Sequence, residues 1–416
     1  MLAALPGAPV PVRARRFSLP AGGRSAVRFA GIAAPVQFVR CPEVVALLPA
    51  IFGGWAFGVV EHGRPIITVT GMRRGYRIAA PWLDEGLLVE TPVGAVCRLI
   101  VDLARATIET DRALLGLHCG TIEIGGRLVV FPSTWRAGKS TLVAGLAARN
   151  LRVFADDILG IDAAGRGVAT GVTPRLRLPL PPGVARALAP LTACHAGPSD
   201  ARYLYLDLPA HLLAPRGTAA PIGAFVLLDR QARSGPSLEA VDPGVMLRHV
   251  VPRNFAHGPG AEAVLTRLRA IVASAGCYRL CYADLGRASS FLAGAFHSGA
   301  PDAGGKPAQA PGADGGPQPS PPARPLSRRR AFTARPGVAI TALGDDTFLA
   351  DGRSGAILAL NPAGAAIWRL VASGPVTIEA VARLLAEAFP DQTPEQIAED
   401  VASLFARLAA AGFLRG

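Results

Sequence analysis

The stretch Phe131-Pro132-Ser133-Thr134-Trp135-Arg136-Ala137-Gly138-Lys139-Ser140-Thr141 decides how the central part of the chain is expected to fold. The apolar residues 128–131 before it predict a strand, and the Ala- and Leu-rich residues 142–149 after it predict a helix. A strand, a loop ending in Gly-Lys-Ser and a helix are the sequence context of a phosphate-binding P-loop. The stretch departs from the usual pattern in having Ser133 in place of the first Gly, and Trp135 and Arg136 are bulky for such a loop.

In a P-loop, the N–H groups and the positive dipole end of the helix face the phosphates. Lys139 would reach the β- and γ-phosphates of ATP, and the Ser140 hydroxyl would bind Mg²⁺. The chain has 43 basic residues and only two lysines, and the second, Lys306, lies in a Pro/Gly-rich tract. The alternative is a surface loop that matches by chance. We predict that the nucleotide is bound by Ser133, Thr134, Trp135, Arg136, Ala137, Gly138, Lys139, Ser140 and Thr141.

Two adjacent carboxylates, Asp156 and Asp157, follow the next predicted strand, residues 151–155. In α/β sheets the ends of strands are where acid–base and metal chemistry is placed. Adjacent carboxylates repel unless a cation lies between them, which indicates Mg²⁺ bound by Asp157 together with Ser140. The alternative is a solvated turn, because Asp is common at strand ends.

The composition limits the class of protein. At 416 residues the chain is long enough for two or more domains. No apolar run reaches the eighteen or so residues of a membrane span, and residues 1–5 are too short for a signal-peptide core, so we expect a cytoplasmic protein.

Residues 1–297 carry all of the net charge of +13, which suits nucleotide and acidic-peptide partners. Nucleic-acid binding is a rival interpretation, but no basic–aromatic platform supports it. The oligomeric state stays open.

Changes in composition divide the chain into four parts. Residues 1–90 contain short apolar runs separated by Gly and Pro, which predict a β-rich N-terminal lobe. Residues 91–297 predict an α/β P-loop domain, with a helix over 93–115 and a hairpin over 120–131. Residues 298–336 predict a flexible Pro/Gly-rich linker. Residues 337–416 predict three short strands and three helices, a small α+β domain that resembles a winged helix.

The P-loop part resembles the HPr kinase/phosphorylase family. The resemblance rests on three segments: His118-Cys119-Gly120 ahead of the hairpin, Gly138-Lys139-Ser140, and Asp156-Asp157 one strand later. The resemblance implies a phosphoenolpyruvate-carboxykinase-like P-loop core that phosphorylates Ser on a protein partner. It also implies that Asp156 or Asp157 is the base for the acceptor hydroxyl, with Asp156 preferred, and that His118 lies close to the pair. Family members have Gly at the position of Ser133 and Glu at that of Thr141. A structural histidine is the alternative for His118.

Residues 337–416 resemble the PqqD-like family of peptide chaperones. The resemblance rests on two segments, residues 361–368 (Asn-Pro-Ala-Gly-Ala-Ala-Ile-Trp) and residues 408–414 (Leu-Ala-Ala-Ala-Gly-Phe-Leu). The resemblance implies that the leader of a ribosomally made precursor adds as a strand to the edge of a small sheet and rests against the last helix. Ile357, Val401 and Phe405 are the candidate peptide-binding residues, although some of them must belong to the core.

Together these features predict an ATP- and Mg²⁺-dependent Ser/Thr kinase that acts on a peptide or small protein. Its C-terminal domain would capture the substrate's leader in a ribosomal-peptide modification system, and the linker would raise the local substrate concentration. The alternative is a nucleotide-binding scaffold or switch without kinase turnover that serves as a peptide chaperone. The choice between ATP and another phosphoryl donor stays open.

Overall fold

The computed structural model describes six ranges of the chain: 23–61, 63–132, 137–231, 235–255, 260–299 and 326–416. Within these ranges no helix has both the length and the apolar composition required to cross a membrane. The four nucleotide-binding candidates from Ser133 to Arg136 and most of the predicted linker lie outside them.

The N-terminal lobe is a six-stranded sheet covered by two helices that share one apolar core with it. The sheet order is β3-β1-β2-β4-β5-β6, and only β2 and β4 run parallel. Its elements are β1 (Arg24–Phe29), β2 (Val36–Val39), α1 (Pro42–Ile51), β3 (Phe57–Val60), β4 (Ile67–Gly71), β5 (Tyr76–Ala79), β6 (Leu87–Val89) and α2 (Pro92–Thr110).

Both helices of the lobe differ from the sequence prediction. We expected only strands before residue 90, but α1 forms there because Pro42 occupies a favourable first position and Pro49 is tolerated near its end. We also expected the helix at 93–115 to belong to the P-loop domain. In the structure α2 ends at Thr110, and its apolar face, with Val96 and Leu99, packs into the N-terminal lobe.

The core domain follows α2 and contains a central six-stranded sheet of order β10-β8-β9-β17-β19-β18. Helices α3, α4 and α7 cover one face of this sheet, and α5 and α6 cover the other. The elements are β7 (Leu115–Leu117), β8 (Gly120–Ile124), β9 (Arg127–Phe131), α3 (Lys139–Ala147), β10 (Arg152–Ala155), β11 (Leu159–Ile161), β12 (Gly167–Val168), β13 (Arg175–Arg177), α4 (Pro182–His195), β14 (Ala196–Ser199), β15 (Tyr203–Leu206), β16 (Ala219–Ala220), β17 (Ile222–Arg230), β18 (Ser237–Ala240), α5 (Pro243–Val250), the 3-10 turn Val251–Arg253, α6 (Ala261–Ser274), β19 (Gly276–Tyr282) and α7 (Leu285–Ala295).

Local signals around the P-loop stretch are confirmed. The β8–β9 hairpin turns at Gly125 and Gly126, which both have the positive φ that this tight turn requires. Helix α3 begins at Lys139, and Asn150 follows it in the left-handed region with φ +66°. Strand β9 runs parallel to β17, and β17 to β19, while β8 runs antiparallel to both β9 and β10. The carboxyl ends of β9, β10, β17 and β19 therefore meet at one side of the sheet, which we call the carboxyl edge.

The C-terminal module contains two three-stranded sheets, β24-β20-β25 and β21-β22-β23, and three helices. The helices begin at the predicted caps, where the side chains of Asn361, Thr377 and Thr393 accept hydrogen bonds from backbone N–H groups. Its elements are β20 (Ala331–Ala334), β21 (Val338–Leu343), β22 (Asp346–Asp351), β23 (Ile357–Leu360), α8 (Pro362–Ser373), β24 (Val376–Thr377), α9 (Ile378–Ala388), α10 (Pro394–Ala410) and β25 (Leu414–Arg415).

The module begins earlier than the sequence predicted. Strand β20 lies within the residues 298–336 that we expected to be linker, and it is the central strand of its sheet. The short run Ala331–Ala334 pairs with residues more than forty positions later, so its partners cannot be recognised from local composition.

The sheet β21-β22-β23 docks the module onto the core domain. Alternate side chains of β22 point in opposite directions: Phe348 and Ala350 join the core around α5 and α6, and Leu349 joins the core of the module. Arg248 of α5 forms a 2.8 Å ion pair with the buried Asp346. The sequence predicted a module on a flexible tether. In the structure the module is instead packed against the core domain.

This alternation predicts different outcomes for two neighbouring substitutions. Phe348→Ala removes a buried ring from the interface and should cost about 3–5 kcal/mol of interface and folding stability. Leu349→Ala removes a side chain from the module's own core and should cost about 2–5 kcal/mol. In hydrogen exchange, we expect Phe348→Ala to speed exchange in α5 and α6 while α8–α10 stay protected, and Leu349→Ala to speed exchange in α8–α10. Identical exchange patterns for the two variants would contradict the docked arrangement.

Candidate phosphate and carboxylate site

The carboxyl edge brings the predicted site residues together from three segments. Lys139 is the first residue of α3 after β9, and Asp156 and Asp157 follow β10. His118 precedes β8, which begins at the carboxyl edge because Gly120 is paired with Phe131 at the end of β9. A hydrogen bond of 3.2 Å from the Cys119 amide to the Asp157 carbonyl joins two of these segments.

The start of α3 has the backbone geometry that a phosphate-binding turn needs. Gly138 caps the helix with φ +94°, a conformation that a side chain would strain. A Cβ at this position would also lie 3.1 Å from the Tyr282 hydroxyl oxygen. The Thr141 hydroxyl donates a 2.7 Å hydrogen bond to the Gly138 carbonyl, so Thr141 stabilises the turn.

Lys139 is a buried cation, with only 7% of its surface exposed. Burial lowers its pKa, and the positive charge of Arg253 lowers it further, while Asp156, Cys119 and Asp157 oppose this shift. Burying an ammonium group is costly unless anions lie close to it. An anionic ligand at the start of α3 would therefore be stabilised both by this charge and by the helix dipole.

Arg175 joins the two carboxylates. Its backbone N–H donates a 2.9 Å hydrogen bond to Asp156 Oδ2, and its Nη2 lies 2.7 Å from Asp157 Oδ2. The cation that the adjacent carboxylates require is thus supplied by a side chain of the protein. This corrects the sequence argument that their repulsion indicates a metal ion, and it leaves magnesium binding by Asp157 and Ser140 as a separate expectation.

Asp156 is a buried carboxyl whose pKa is shifted by its surroundings. Burial raises the pKa of Asp156 to about 7, and the charge of Asp157 acts in the same direction. The Arg175 amide and the neighbouring Ser140 hydroxyl oppose the shift. Asp156 Oδ1 is buried and makes no well-formed hydrogen bond with the described residues. A carboxyl that titrates near neutral pH can accept or release a proton under physiological conditions.

Arg175 also connects this site to the N-terminal lobe. Its guanidinium group contacts the thiol of Cys97 on α2 and lies 4.5 Å from the centre of the Tyr203 ring. Stacking on an aromatic face and pairing with a carboxylate are interactions that the planar guanidinium group makes well. The acid pair is therefore held from both the core domain and the lobe.

His118 and Arg253 complete the set of charged groups. The His118 amide donates a 2.8 Å hydrogen bond to the Arg253 carbonyl. Burial lowers the pKa of His118, and the cations Lys139, Arg253 and Arg175 lower it further, against the opposing charge of Asp157. His118 therefore lies within electrostatic range of Asp157 and of Lys139.

The residues present fit a nucleotide with a bound magnesium ion. Mg²⁺ in such sites uses one or two carboxylates or hydroxyls together with phosphate oxygens and waters. Ser140 and Asp157 can supply those oxygens beside Lys139. No group of three or more His, Cys, Asp or Glu side chains that could hold a metal ion occurs in the described part of the chain.

Two of the three candidate peptide-binding residues of the module lie in its interior. Val401 is 1% and Phe405 0% exposed, and both belong to the module's core. The prediction that Val401 and Phe405 bind the peptide is therefore wrong, and both are structural residues. The helical spacing that made them candidates belongs to the core-facing side of α10. Ile357 is half-buried on β23 and packs towards the core domain.

Sequence reasoning did not assign Arg175, Arg253, Cys97 or Tyr205 to the site. Arg175 lies in a Pro-bounded basic segment, residues 174–179, that contains no catalytic motif. Arg253 has no neighbouring motif that would assign it to the site, and its position beside Lys139 and His118 becomes visible in the fold. Cys97 and Tyr205 carry no local signal, because apolar residues surround both in sequence.

The pKa of Asp156 predicts a stability effect with a definite sign. The folded pKa of about 7 lies above the value near 4 of an unfolded chain, so the folded protein binds the proton more tightly. The stabilising contribution is complete below about pH 4 and is lost as the pH rises through 7. Asp156→Asn cannot ionise, so its stability relative to wild type should rise between pH 4 and 8.

Urea unfolding at several pH values, with a chelator and without nucleotide, measures this difference. Asp162→Asn, at a turn after β11, is the control for the loss of a carboxylate elsewhere in the same domain. A difference between Asp156→Asn and wild type that stays constant from pH 4 to 8 would contradict the buried, proton-binding carboxyl.

Comparison with known proteins identifies one part of the chain. Residues 346–414 match the family described as coenzyme PQQ synthesis protein D, PqqD. No curated protein matches the chain as a whole or in part. The matched region runs from the start of β22 to the first residue of β25. The C-terminal module therefore contains a PqqD domain.

Proposed function

We propose that the chain is an ATP-dependent kinase that phosphorylates Ser or Thr of a peptide or small protein. The observation that carries the proposal is the convergence of Lys139, at the start of α3, with Asp156, whose pKa is about 7, at one edge of the central sheet. A phosphoryl transfer site needs a cation for the phosphates and a group that accepts the proton of the attacking hydroxyl.

Each residue at the carboxyl edge has a role in this proposal. Lys139 and the N–H groups at the start of α3 bind and orient the phosphates. Asp156 accepts the proton of the acceptor hydroxyl, and Arg175 fixes the orientation of both carboxylates. Ser140 and Asp157 would hold Mg²⁺, which would neutralise the charge that develops on the transferred group. The positive charges of Arg175 and Arg253 favour an anionic substrate near His118.

The PqqD domain supports a peptide-binding role in a ribosomal-peptide modification system. Its sheet β21-β22-β23 is covered by α5 and α6 on one face and by the module's own helices on the other. Backbone groups at the sheet edges are the surface left for an added strand, the mode that the PqqD resemblance implies. Strand β21 is the longer edge strand and carries the exposed Ile340.

Docking of the module changes how a captured leader would reach the acceptor site. A flexible tether sets only an average local concentration, whereas a docked module holds the start of the substrate at a defined place. The 2.8 Å pair between Arg248 and Asp346 lies on α5, which leads directly into the turn that carries Arg253. We propose that the leader bound at the module directs the following residues towards the carboxyl edge.

The two carboxylates should separate in a kinetic test. Asp156→Asn removes the proton acceptor and should lower kcat by about 10²- to 10⁴-fold without loss of nucleotide binding. Asp157→Asn should lower activity in a way that high Mg²⁺ partly restores, because this carboxylate would act through the metal. The measurement is transfer of labelled γ-phosphate from ATP to a synthetic precursor peptide that carries Ser or Thr.

Asp162→Asn serves again as the control, since it removes a carboxylate of the same domain outside the site. Its rate should equal that of wild type. Wild-type rates for both Asp156→Asn and Asp157→Asn would show that the pair is structural, and the nucleotide-binding scaffold or switch would then be the better interpretation.

A further inference from the structure

A small cavity lies between the N-terminal lobe and the core domain, directly beside the acid pair. Asp156, Asp157, Arg175 and Tyr205 form its polar part. Trp55 and the α2 residues Ile100 and Ala104 line it from the lobe, and Ile158 and Val172 line it from the core domain. The lobe thus closes a space next to the proposed base.

Asp156 and Tyr205 line this cavity, and each has one buried polar atom without a well-formed hydrogen bond among the described residues. These atoms are Asp156 Oδ1 and the hydroxyl oxygen of Tyr205, whose neighbours are the Cys97 thiol and the Arg175 guanidinium. Leaving such atoms unsatisfied costs about 1–3 kcal/mol each. A hydroxyl group is the ligand that satisfies both, because it can donate to the carboxylate and accept from the phenol.

The size and lining of the cavity restrict what can carry that hydroxyl. Its volume of about 20 Å³ corresponds to one or two water molecules. A hydroxymethyl or hydroxyethyl group fits this space, whereas the ring of a tyrosine does not. The aliphatic side chains of Ile100, Ala104 and Val172 would contact the carbon atoms of such a group. Thr170 and Thr173 add two small polar side chains to the lining.

We propose that this cavity is the acceptor pocket, which receives the Ser or Thr side chain of the substrate between the N-terminal lobe and the core domain. The inference rests on the proposed kinase function and gives the lobe a role in it. Asp156 lines the pocket and is also hydrogen-bonded to the Ser140 hydroxyl at the start of α3, so the pocket adjoins the proposed phosphate side of the site.

The transfer in this arrangement is balanced. The acceptor hydroxyl gives its proton to the Asp156 carboxylate, and its oxygen forms a bond to the γ-phosphorus of ATP. The bond between the γ-phosphorus and the β–γ bridging oxygen breaks, and ADP leaves with that electron pair. Tyr205 binds the acceptor oxygen and takes no part in the proton transfer.

Substitutions that fill or alter the pocket test the proposal. Ala104→Phe places a ring in the cavity from α2, and Val172→Phe does so from a half-buried position that tolerates the change more easily. Tyr205→Phe removes only the hydroxyl. Val101→Phe is the control, because Val101 is on the same helix as Ala104 but is 48% exposed. Melting temperature and Mg-ATP affinity are measured for every variant, together with steady-state phosphorylation of the precursor peptide.

We expect unchanged nucleotide affinity throughout. The two filling variants should lower kcat/KM for the peptide on the order of 100-fold, since displacing the reacting hydroxyl by about 1 Å has an effect of that size. Tyr205→Phe should lower it by about 10-fold, and Val101→Phe should equal wild type. The acceptor-pocket proposal is wrong if Tyr205→Phe and at least one folded variant with a filled cavity both have the kcat/KM of wild type. The proposed kinase function would not be affected by that result. No phosphoryl transfer by wild type would overturn the proposed function and the pocket with it.

Discussion

The interaction of Arg175 with Asp156 and Asp157 is the constraint on which the site depends. A nearly buried carboxylate beside a second one is unfavourable through both desolvation and repulsion, and one arginine offsets both through its backbone N–H and its guanidinium group. The same guanidinium group contacts Cys97 of the N-terminal lobe and the Tyr203 ring. One arginine therefore holds both carboxylates and also contributes to the contact between the lobe and the core domain.

This arrangement explains why the acid pair is asymmetric. Asp157 forms an ion pair with the Arg175 guanidinium group, whereas Asp156 accepts a hydrogen bond from the Arg175 backbone N–H and is more deeply buried. The consequence is a carboxyl with a pKa near 7 next to one that is held in an ion pair. Pairs of carboxylates whose environments differ in this way are a general means of assigning acid–base roles.

The predictions that succeeded depend on short-range signals. The turn at Gly125-Gly126, the helix starting at Lys139 and the caps Asn361 and Thr393 are each encoded within a few residues. Contacts between distant segments were not accessible to the same reasoning. Arg175 meets Cys97 across 78 positions, and the face of α2 that packs into the lobe looks the same in sequence as one that packs into the core domain. Val401 and Phe405 were misjudged because a core-facing and a groove-facing stripe share the same helical spacing.

Binding of Mg-ATP to the intact chain tests the central claim most directly, namely that Lys139 and the start of α3 form a nucleotide site. Calorimetry on wild type, Lys139→Ala and Lys306→Ala compares the only two lysines of the chain. The account predicts one site per chain in wild type, the same affinity in Lys306→Ala, and no measurable binding in Lys139→Ala, because that variant lacks the buried cation that faces the phosphates. Equal affinities of wild type and Lys139→Ala, or no binding by wild type, would contradict it.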